Sequence, residues 1–212
     1  MKALIIGATG ATGKDLVNVL LLDSEYTEVV TFVRRPSGIT DPKLSEVITN
    51  FDQLEAVSDH INGAVLFSCL GTTLKAAGSK EKQQHIDYEI PLQFAEIAKR
   101  NGVAGMVLLS AYGATANSRV FYSRIKGMLE DEIGKLGFAK YIIFKPGLLV
   151  RKNTDRVVER ISAGVLNFLN GIGLVKKFKP LPTEVLAEKL AKSPKIFANG
   201  RHVVALSEIF GL

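Results

Sequence analysis

Short apolar runs alternate with stretches of helical spacing from the start of the chain. Lys2–Ile6 is short and apolar, which predicts a buried strand, and Lys14–Leu22 has the spacing of a helix. Glu28–Val33 is β-branched and reads as a strand ended by Arg34-Arg35-Pro36. Ser45–Thr49 is a weaker strand, and Ala64–Cys69 a continuous apolar one broken by Gly71. Ser79–Arg100 predicts a long helix with Ser79 as N-cap and Asn101-Gly102 as its stop. Pro91 falls inside it and predicts a kink or break. Met106–Leu109 is a strand ending at Ser110, Asn117–Lys135 a helix followed by Gly137, and Tyr141–Phe144 a strand ended by Pro146-Gly147. Farther on, Val157–Leu169 reads as an amphipathic helix, Thr183–Lys192 as a helix and His202–Leu206 as a final strand. This β-α-β-α order, with connections long enough for crossovers, predicts an α/β fold. We expect a Rossmann-like, doubly wound parallel sheet with helices on both faces.

There is no internal repeat and no low-complexity linker. Residues 1–212 are expected to form one domain, with 1–150 as the core and 151–212 as a small extension. That extension should lie against the carboxyl ends of the strands and help cover a substrate. The chain has 212 residues, 47% of them hydrophobic, which supports a sizeable core and excludes a disordered class. One cysteine, Cys69, rules out an internal disulfide and a CxxC zinc site, and with three histidines it leaves little for a metal centre. No apolar run has membrane-spanning length, and Gly7 and Gly10 interrupt any signal-peptide core, so the expected location is cytoplasmic. The net charge of +6 permits nucleic-acid binding without arguing for it. The densest basic group, Lys176, Lys177 and Lys179, lacks interleaved aromatics, so no nucleic-acid partner is expected.

Chemistry enters at Gly7-Ala-Thr-Gly10-Ala-Thr-Gly13, between the first strand and the first helix. Gly7 permits a tight turn, Gly10 lets the backbone approach phosphates, and Gly13 lets helix and strand pack closely. The backbone of Thr9, Ala11 and Thr12 completes the turn, and its N–H groups and the helix dipole suit a pyrophosphate. The second signal is Tyr122-Ser-Arg-Ile-Lys126. Tyrosine and lysine four apart share a helix face, and the ammonium would lower the phenol's pKa from about 10.

With Ser68-Cys-Leu-Gly-Thr-Thr73, Leu108-Leu-Ser110 and Phe144-Lys-Pro-Gly147, these residues make the chain resemble a short-chain dehydrogenase/reductase. More narrowly, it is similar to the atypical, Tat-interacting-protein-like members. The resemblance spans about residues 1–150. It implies an NAD(P) cofactor, Tyr122 as general acid/base, and Lys126 tuning the phenol and holding the nicotinamide ribose. Ser110 stands where the family has its catalytic serine region. Many relatives have a second serine where this chain has Ala111. A strand-end hydroxyl satisfying nearby backbone is the alternative for Ser110. The family's asparagine falls near Asp87, which reads equally as a solvated helix aspartate. Pro146 resembles the turn beside the nicotinamide carboxamide.

The second strand ends in Arg34 and Arg35 with no acid beside them. Guanidinium suits a 2′-phosphate, so NADP(H) is expected over NAD(H), with Arg34 preferred to Arg35. Asp52 is placed to accept from the adenine amino group or to cap a helix. Leu70, Gly71 and Thr72 offer contacts to the adenosine part, although Thr72 and Thr73 equally suit a turn cap. Cys69 reads as a small buried residue, and His60, His85 and His202 as surface or structural ones. The leading expectation is therefore an NADP(H)-dependent oxidoreductase acting on a small carbonyl or alcohol. An NADP(H)-binding regulatory module is the alternative. Nucleotide-sugar epimerisation is disfavoured by the absence of a large C-terminal substrate domain. Leu148, Leu149, Phe168 and Leu174 suit an apolar ligand and suit a core as well. Family members can pair through long helices, but no position here marks a pairing face.

Overall fold

A computed structural model describes residues 1–150 and 180–212. Seven parallel strands form the central sheet: β1 (Lys2–Ile6), β2 (Glu28–Val33), β3 (Leu44–Ile48), β4 (Val65–Ser68), β5 (Gly105–Leu109), β6 (Lys140–Lys145) and β9 (Gly200–Ala205), in the order β3-β2-β1-β4-β5-β6-β9. β7 (Leu149–Val150) and β8 (Leu181–Pro182) pair separately, also in parallel. The direction of chain crossing reverses between β1 and β4, where Ile6 stands opposite Phe32 on one side and Ser68 on the other. Crevices form at such a switch point, outside the carboxyl ends of the strands.

The helices are α1 (Ala11–Leu22), α2 (Leu74–Ala77), α3 (Lys80–Gln84), α4 (Ile90–Arg100), α5 (Phe121–Lys135) and α6 (Thr183–Ile196). Alternate side chains of each strand feed two cores. One face packs Ala3, Ile5 and Phe67 against Leu16 and Leu20 of α1 and Leu186 and Leu190 of α6. The other packs Leu4, Leu66 and Met106 against Phe94 and Ile97 of α4 and Leu129 and Ile133 of α5. Burial on both faces explains why the central strands read as continuous apolar runs. Tyr26 ties the first face together, donating to the Ala191 carbonyl at 2.7 Å.

The Rossmann-like expectation holds, and the differences are local. The long helix is cut into α3, a π turn over His85–Glu89, and α4. Ser79 caps it as expected, accepting from the Lys82 N–H at 3.2 Å. Pro91 cannot donate to the carbonyl four residues back, and its ring crowds that carbonyl, so the widened turn falls just ahead of it. α5 starts at Phe121 rather than Asn117, because Val120 is extended and its N–H is taken by the Ser118 hydroxyl at 3.1 Å. α6 runs past Lys192 to include Pro194; the Leu190 carbonyl that Pro194 cannot serve accepts from the Ser193 hydroxyl at 2.8 Å. β9 and α6 complete the sheet and cover one face of it, so this part of 151–212 builds the frame instead of lying over the strand ends. Leu149 packs against the same core. The helix expected at Val157–Leu169, the basic group Lys176, Lys177 and Lys179, and Phe168 and Leu174 lie outside the described residues.

Candidate functional site

The turn after β1 is built by its glycines. Gly7 has φ +81°, and a Cβ there would stand 2.5 Å from the Cys69 carbonyl carbon, so the turn and the end of β4 approach only with glycine. A Cβ on Gly13 would meet the Gly7 carbonyl oxygen at 2.1 Å, which places α1 directly on the turn. Gly10 is the N-cap of α1; no side chain caps this end and no acid occupies its first turn. The amides of Ala11, Thr12 and Gly13 are therefore left for another acceptor, and the helix dipole adds positive potential.

This turn opens into a cavity of about 430 Å³ at the switch point. Of the expected cofactor residues, Gly7, Thr9, Gly10, Arg34, Asp52, Leu70, Gly71 and Thr72 line it. Arg34 is exposed at its rim, whereas Arg35, also exposed, does not line it. Thr12 and Gly13 are buried in α1, and Ala11 faces a separate groove with Lys14 and Glu188. Pro146, just past β6, is buried and its carbonyl accepts from the Tyr112 N–H at 2.9 Å. Thr73 is a turn cap, its hydroxyl accepting from the Ala76 N–H at 3.2 Å.

His85, expected in a surface or structural role, also lines this cavity. Its Nε2 pairs with Asp52 at 2.8 Å and its Nδ1 with Glu89 at 2.9 Å. Asp52 is thus engaged by an imidazole and does not cap the following 3-10 turn, whose N-cap is Gln53. Glu89 first and Asp52 second hold the His85 pKa above its ordinary value. The signal available in the sequence was the i,i+4 spacing of His85 and Glu89; the partner from residue 52 was not visible there.

α5 presents Tyr122, Lys126 and Glu130 along one face, one turn apart. Tyr122 is 36% exposed, Lys126 2% and Glu130 4%. Lys126 reaches the cavity's edge, donating from Nζ to the Leu70 carbonyl at 3.2 Å. Asp87 is fully buried in the π turn, which removes the solvated-aspartate reading. Its Oδ1 accepts from the Thr72 N–H at 2.7 Å. The expected lowering of the Tyr122 phenol by Lys126 does not occur in this arrangement. Burial, and next the Asp87 carboxylate, push the phenol up to about 12. Burial lowers the Lys126 pKa and raises that of Asp87.

Ser110 is buried at the end of β5. Its hydroxyl donates to Glu130 Oε1, and Lys145 pairs with Oε2 of the same carboxylate at 2.7 Å. Ser110 therefore satisfies a side-chain carboxylate, neither a backbone group nor an open site. Lys145 also donates to the Ala114 carbonyl at 2.9 Å, tying the loop after β5 to β6. Glu130 gave no sequence signal, because a charged residue on an amphipathic helix normally faces water, and Lys145 at the end of β6 was read only as part of the Phe144-Lys-Pro-Gly147 motif.

The uncapped helix end, the glycine cradle and the cavity with Arg34 at its rim fit a dinucleotide. The family profile described as NAD(P)H-binding matches residues 7–164. The chain belongs to this NAD(P)H-binding family. It is 33% identical to "Protein FMP52-1, mitochondrial" of Scheffersomyces stipitis over 85% of this chain and 82% of that protein. It is 34% identical to "Protein FMP52, mitochondrial" of Saccharomyces cerevisiae over 73% and 68%. Among solved structures, MoeE5 in complex with UDP-glucose and NAD superposes with a TM-score of 0.74 at 16% identity, covering 97% of this chain and 76% of that one. UDP-glucose 4-epimerase of Thermotoga maritima gives 0.72 at 14% identity, with coverage of 97% and 76%. At these identities the two structures show the shared fold. The chain is thus an NAD(P)H-binding protein with the fold of these structures, and its cofactor is a nicotinamide dinucleotide. The cytoplasmic expectation is overturned, since relatives from several fungi are named mitochondrial. That expectation rested on the lack of a membrane-length apolar run and of a signal-peptide core, and neither distinguishes a cytoplasmic from a mitochondrial location.

Proposed function

We propose that the protein is an NADP(H)-dependent oxidoreductase acting on a small carbonyl or alcohol substrate, and that residues 1–212 form one catalytic unit. The observation that carries this reading is the continuity between cavity and helix face. Gly7, Thr9, Gly10 and Arg34 line the cavity, and Lys126 enters its edge from the helix that holds Tyr122 one turn away. The amides of the first turn of α1 take the pyrophosphate, and the Arg34 guanidinium takes the 2′-phosphate, with Arg35 as a second cation. Leu70, Gly71 and Thr72 border the adenosine part. Asp52 serves the adenine amino group while sharing its carboxylate with His85. Pro146 follows β6 at the nicotinamide end.

When bound, the dinucleotide supplies or accepts hydride. Tyr122 transfers the accompanying proton to or from the substrate oxygen as general acid/base. Lys126 donates to the nicotinamide ribose. Ser110 reaches a substrate oxygen only by turning its hydroxyl from Glu130, so the proton chemistry rests on Tyr122.

The same engagement of Ser110 favours a second reading, an NADP(H)-binding regulatory module with little catalysis. Calorimetric titration with NADPH and NADH, on the unmodified protein and on Arg34→Ala, tests the cofactor assignment. Tight NADPH binding with a preference that collapses in the variant is expected. Equal or absent binding of both dinucleotides rejects the NADP assignment. A screen of carbonyl substrates with Tyr122→Phe as control then separates the readings: turnover lost in the variant supports the enzyme, and binding without turnover supports the module.

A further inference from the structure

A histidine clasp stands at the edge of the cofactor cavity. Asp52 lies beyond β3 and His85 in the connection that follows β4, and these two strands flank the β2-β1 pair. His85 Nε2 meets Asp52 Oδ1 at 2.8 Å, joining two connections that both line the cavity. His85 Nδ1 meets Glu89 Oε2 at 2.9 Å. An ionised carboxylate only accepts, so both ring nitrogens must carry hydrogen, and the clasped His85 is the imidazolium. A neutral imidazole keeps one N–H and has to release one carboxylate. The charged groups facing the ring are Asp52, from the loop after β3, and Glu89, from its own π turn. Arg34 lines the same cavity from the end of β2. Phe51, Ile86 and Ile90 line it as well, so an apolar wall adjoins the polar edge made by Asp52 and His85. A purine base with an exocyclic amino group has the complementary surface, flat apolar faces and a donor edge. The same two connections are tied elsewhere without the clasp. Arg100, at the end of α4, holds Glu55 with bonds of 3.1 and 2.7 Å, and Asn101 donates to the Ser58 carbonyl at 2.8 Å. The clasp therefore acts at the cavity, on segments that the fold already holds.

We propose that the His85 imidazolium is a positioning residue for the adenosine half of the dinucleotide, holding the Asp52 carboxylate at the amino edge of the base and coupling binding to the uptake of a proton. This rests on the placement of Arg34 and Asp52 at the adenosine end in the reading above. The imidazole takes Asp52 Oδ1, and Oδ2 remains for the amino group. A proton taken from solvent onto His85 completes the clasp and adds a positive charge beside a polyanionic ligand, and both effects favour binding. The coupling is reciprocal, so a bound dinucleotide favours the imidazolium in turn. Loss of the proton to solvent frees one carboxylate and loosens the wall. The imidazole is 42% exposed and the Asp52 side chain 72%, which keeps the coupling modest.

Calorimetric titration of the full chain between pH 6 and 8 tests this, with whichever of NADPH and NADH binds more tightly. The ratio of affinity at pH 6 to that at pH 8 should be about threefold larger in the unmodified protein than in His85→Gln, which keeps an amide donor for Asp52 but cannot hold the proton. Titration of a ligand phosphate is common to both proteins and cancels in the comparison. Glu89→Gln leaves the cavity lining unchanged and removes the largest support of the imidazolium, so it should move the pH profile to lower pH without abolishing it. The matching adenosine half alone, adenosine 2′,5′-bisphosphate or adenosine 5′-monophosphate, should reproduce the difference between the unmodified protein and His85→Gln. Equal pH ratios in these two proteins, with dinucleotide bound by both, overturn the inference alone. So does a difference that the adenosine half does not reproduce. If His85→Gln binds no dinucleotide at all, Glu89→Gln decides, and an unshifted profile there overturns the inference. Absence of binding of both dinucleotides to the unmodified protein overturns the cofactor reading and the inference with it.

Discussion

Replacing Gly13 by alanine forces a methyl group into a space that does not exist. The added Cβ would lie 2.1 Å from the Gly7 carbonyl oxygen, 2.8 Å from its carbon and 3.0 Å from the Ala8 Cα. All three are backbone atoms, so no side-chain rotation relieves the clash. Ordinary contact requires the separation to open by more than about 1 Å, which lifts the start of α1 off the turn. Overpacking of this kind costs about 1–3 kcal/mol, and a helical Gly-to-Ala change returns at most about 1 kcal/mol. We expect a net loss of about 2 kcal/mol, which at a urea slope of about 3 kcal/mol/M lowers the unfolding midpoint by roughly 0.7 M. Gly10→Ala is the matched control. Its Cβ meets only the Gly7 carbonyl oxygen, at 3.2 Å, and its φ of −73° suits alanine. Its stability should change by less than about 1 kcal/mol, while NADPH affinity falls at least tenfold because the methyl occupies the approach to the phosphates. Urea unfolding followed by circular dichroism, with calorimetry on both variants, reads the two effects separately. A Gly13→Ala midpoint equal to that of the unmodified protein would refute the packing argument. Unchanged NADPH affinity in Gly10→Ala would refute the phosphate assignment.

Glu130→Gln should cost about 3 kcal/mol in urea unfolding, because Lys145 loses its carboxylate in a largely buried site; a cost under 1 kcal/mol would mean the pair is solvated. His85 gives a pH signature. Its pKa is raised by Glu89 and Asp52, so its stabilising contribution is complete below the unfolded value near 6.5 and is lost as pH rises through the folded value. Half-exposed partners keep it below about 1 kcal/mol. The urea midpoint of the unmodified protein should fall relative to that of His85→Gln between pH 6 and 8, and parallel curves would remove the clasp. The Cys69 thiol, pushed up to about 12 by burial, should react with a disulfide reagent at pH 8 far more slowly than the same thiol in urea, and equal rates would contradict its burial.

Much of the frame was legible because burial on both faces of a parallel sheet writes itself as apolar runs. β1 and β2 appear at the expected residues, and β3, β4, β5 and β6 within one or two of them. The helix ends were less legible, because short-range hydrogen bonds set them. Ser118 delays α5 until Phe121, and Pro91 turns part of a helix into a π turn. The glycine roles at Gly7 and Gly13 were readable, since each reflects a local close approach. Partners from distant segments were not. His85 meets Asp52 across 33 positions, and Lys145 meets Glu130 from another element.

Local pattern alone therefore determined the sheet, the phosphate-suited turn and the placing of Tyr122 and Lys126 on one helix face, because strand periodicity, glycine geometry and helical spacing are all properties of neighbouring residues. Tertiary structure decided the electrostatics. The i,i+4 spacing put an ammonium beside the phenol and predicted a lowered pKa, but burial first, and the Asp87 carboxylate second, pushed the phenol up to about 12. It likewise turned the Ser110 hydroxyl toward Glu130. A charge acts through space, so its sum over a site is fixed only when remote segments of the chain are brought together.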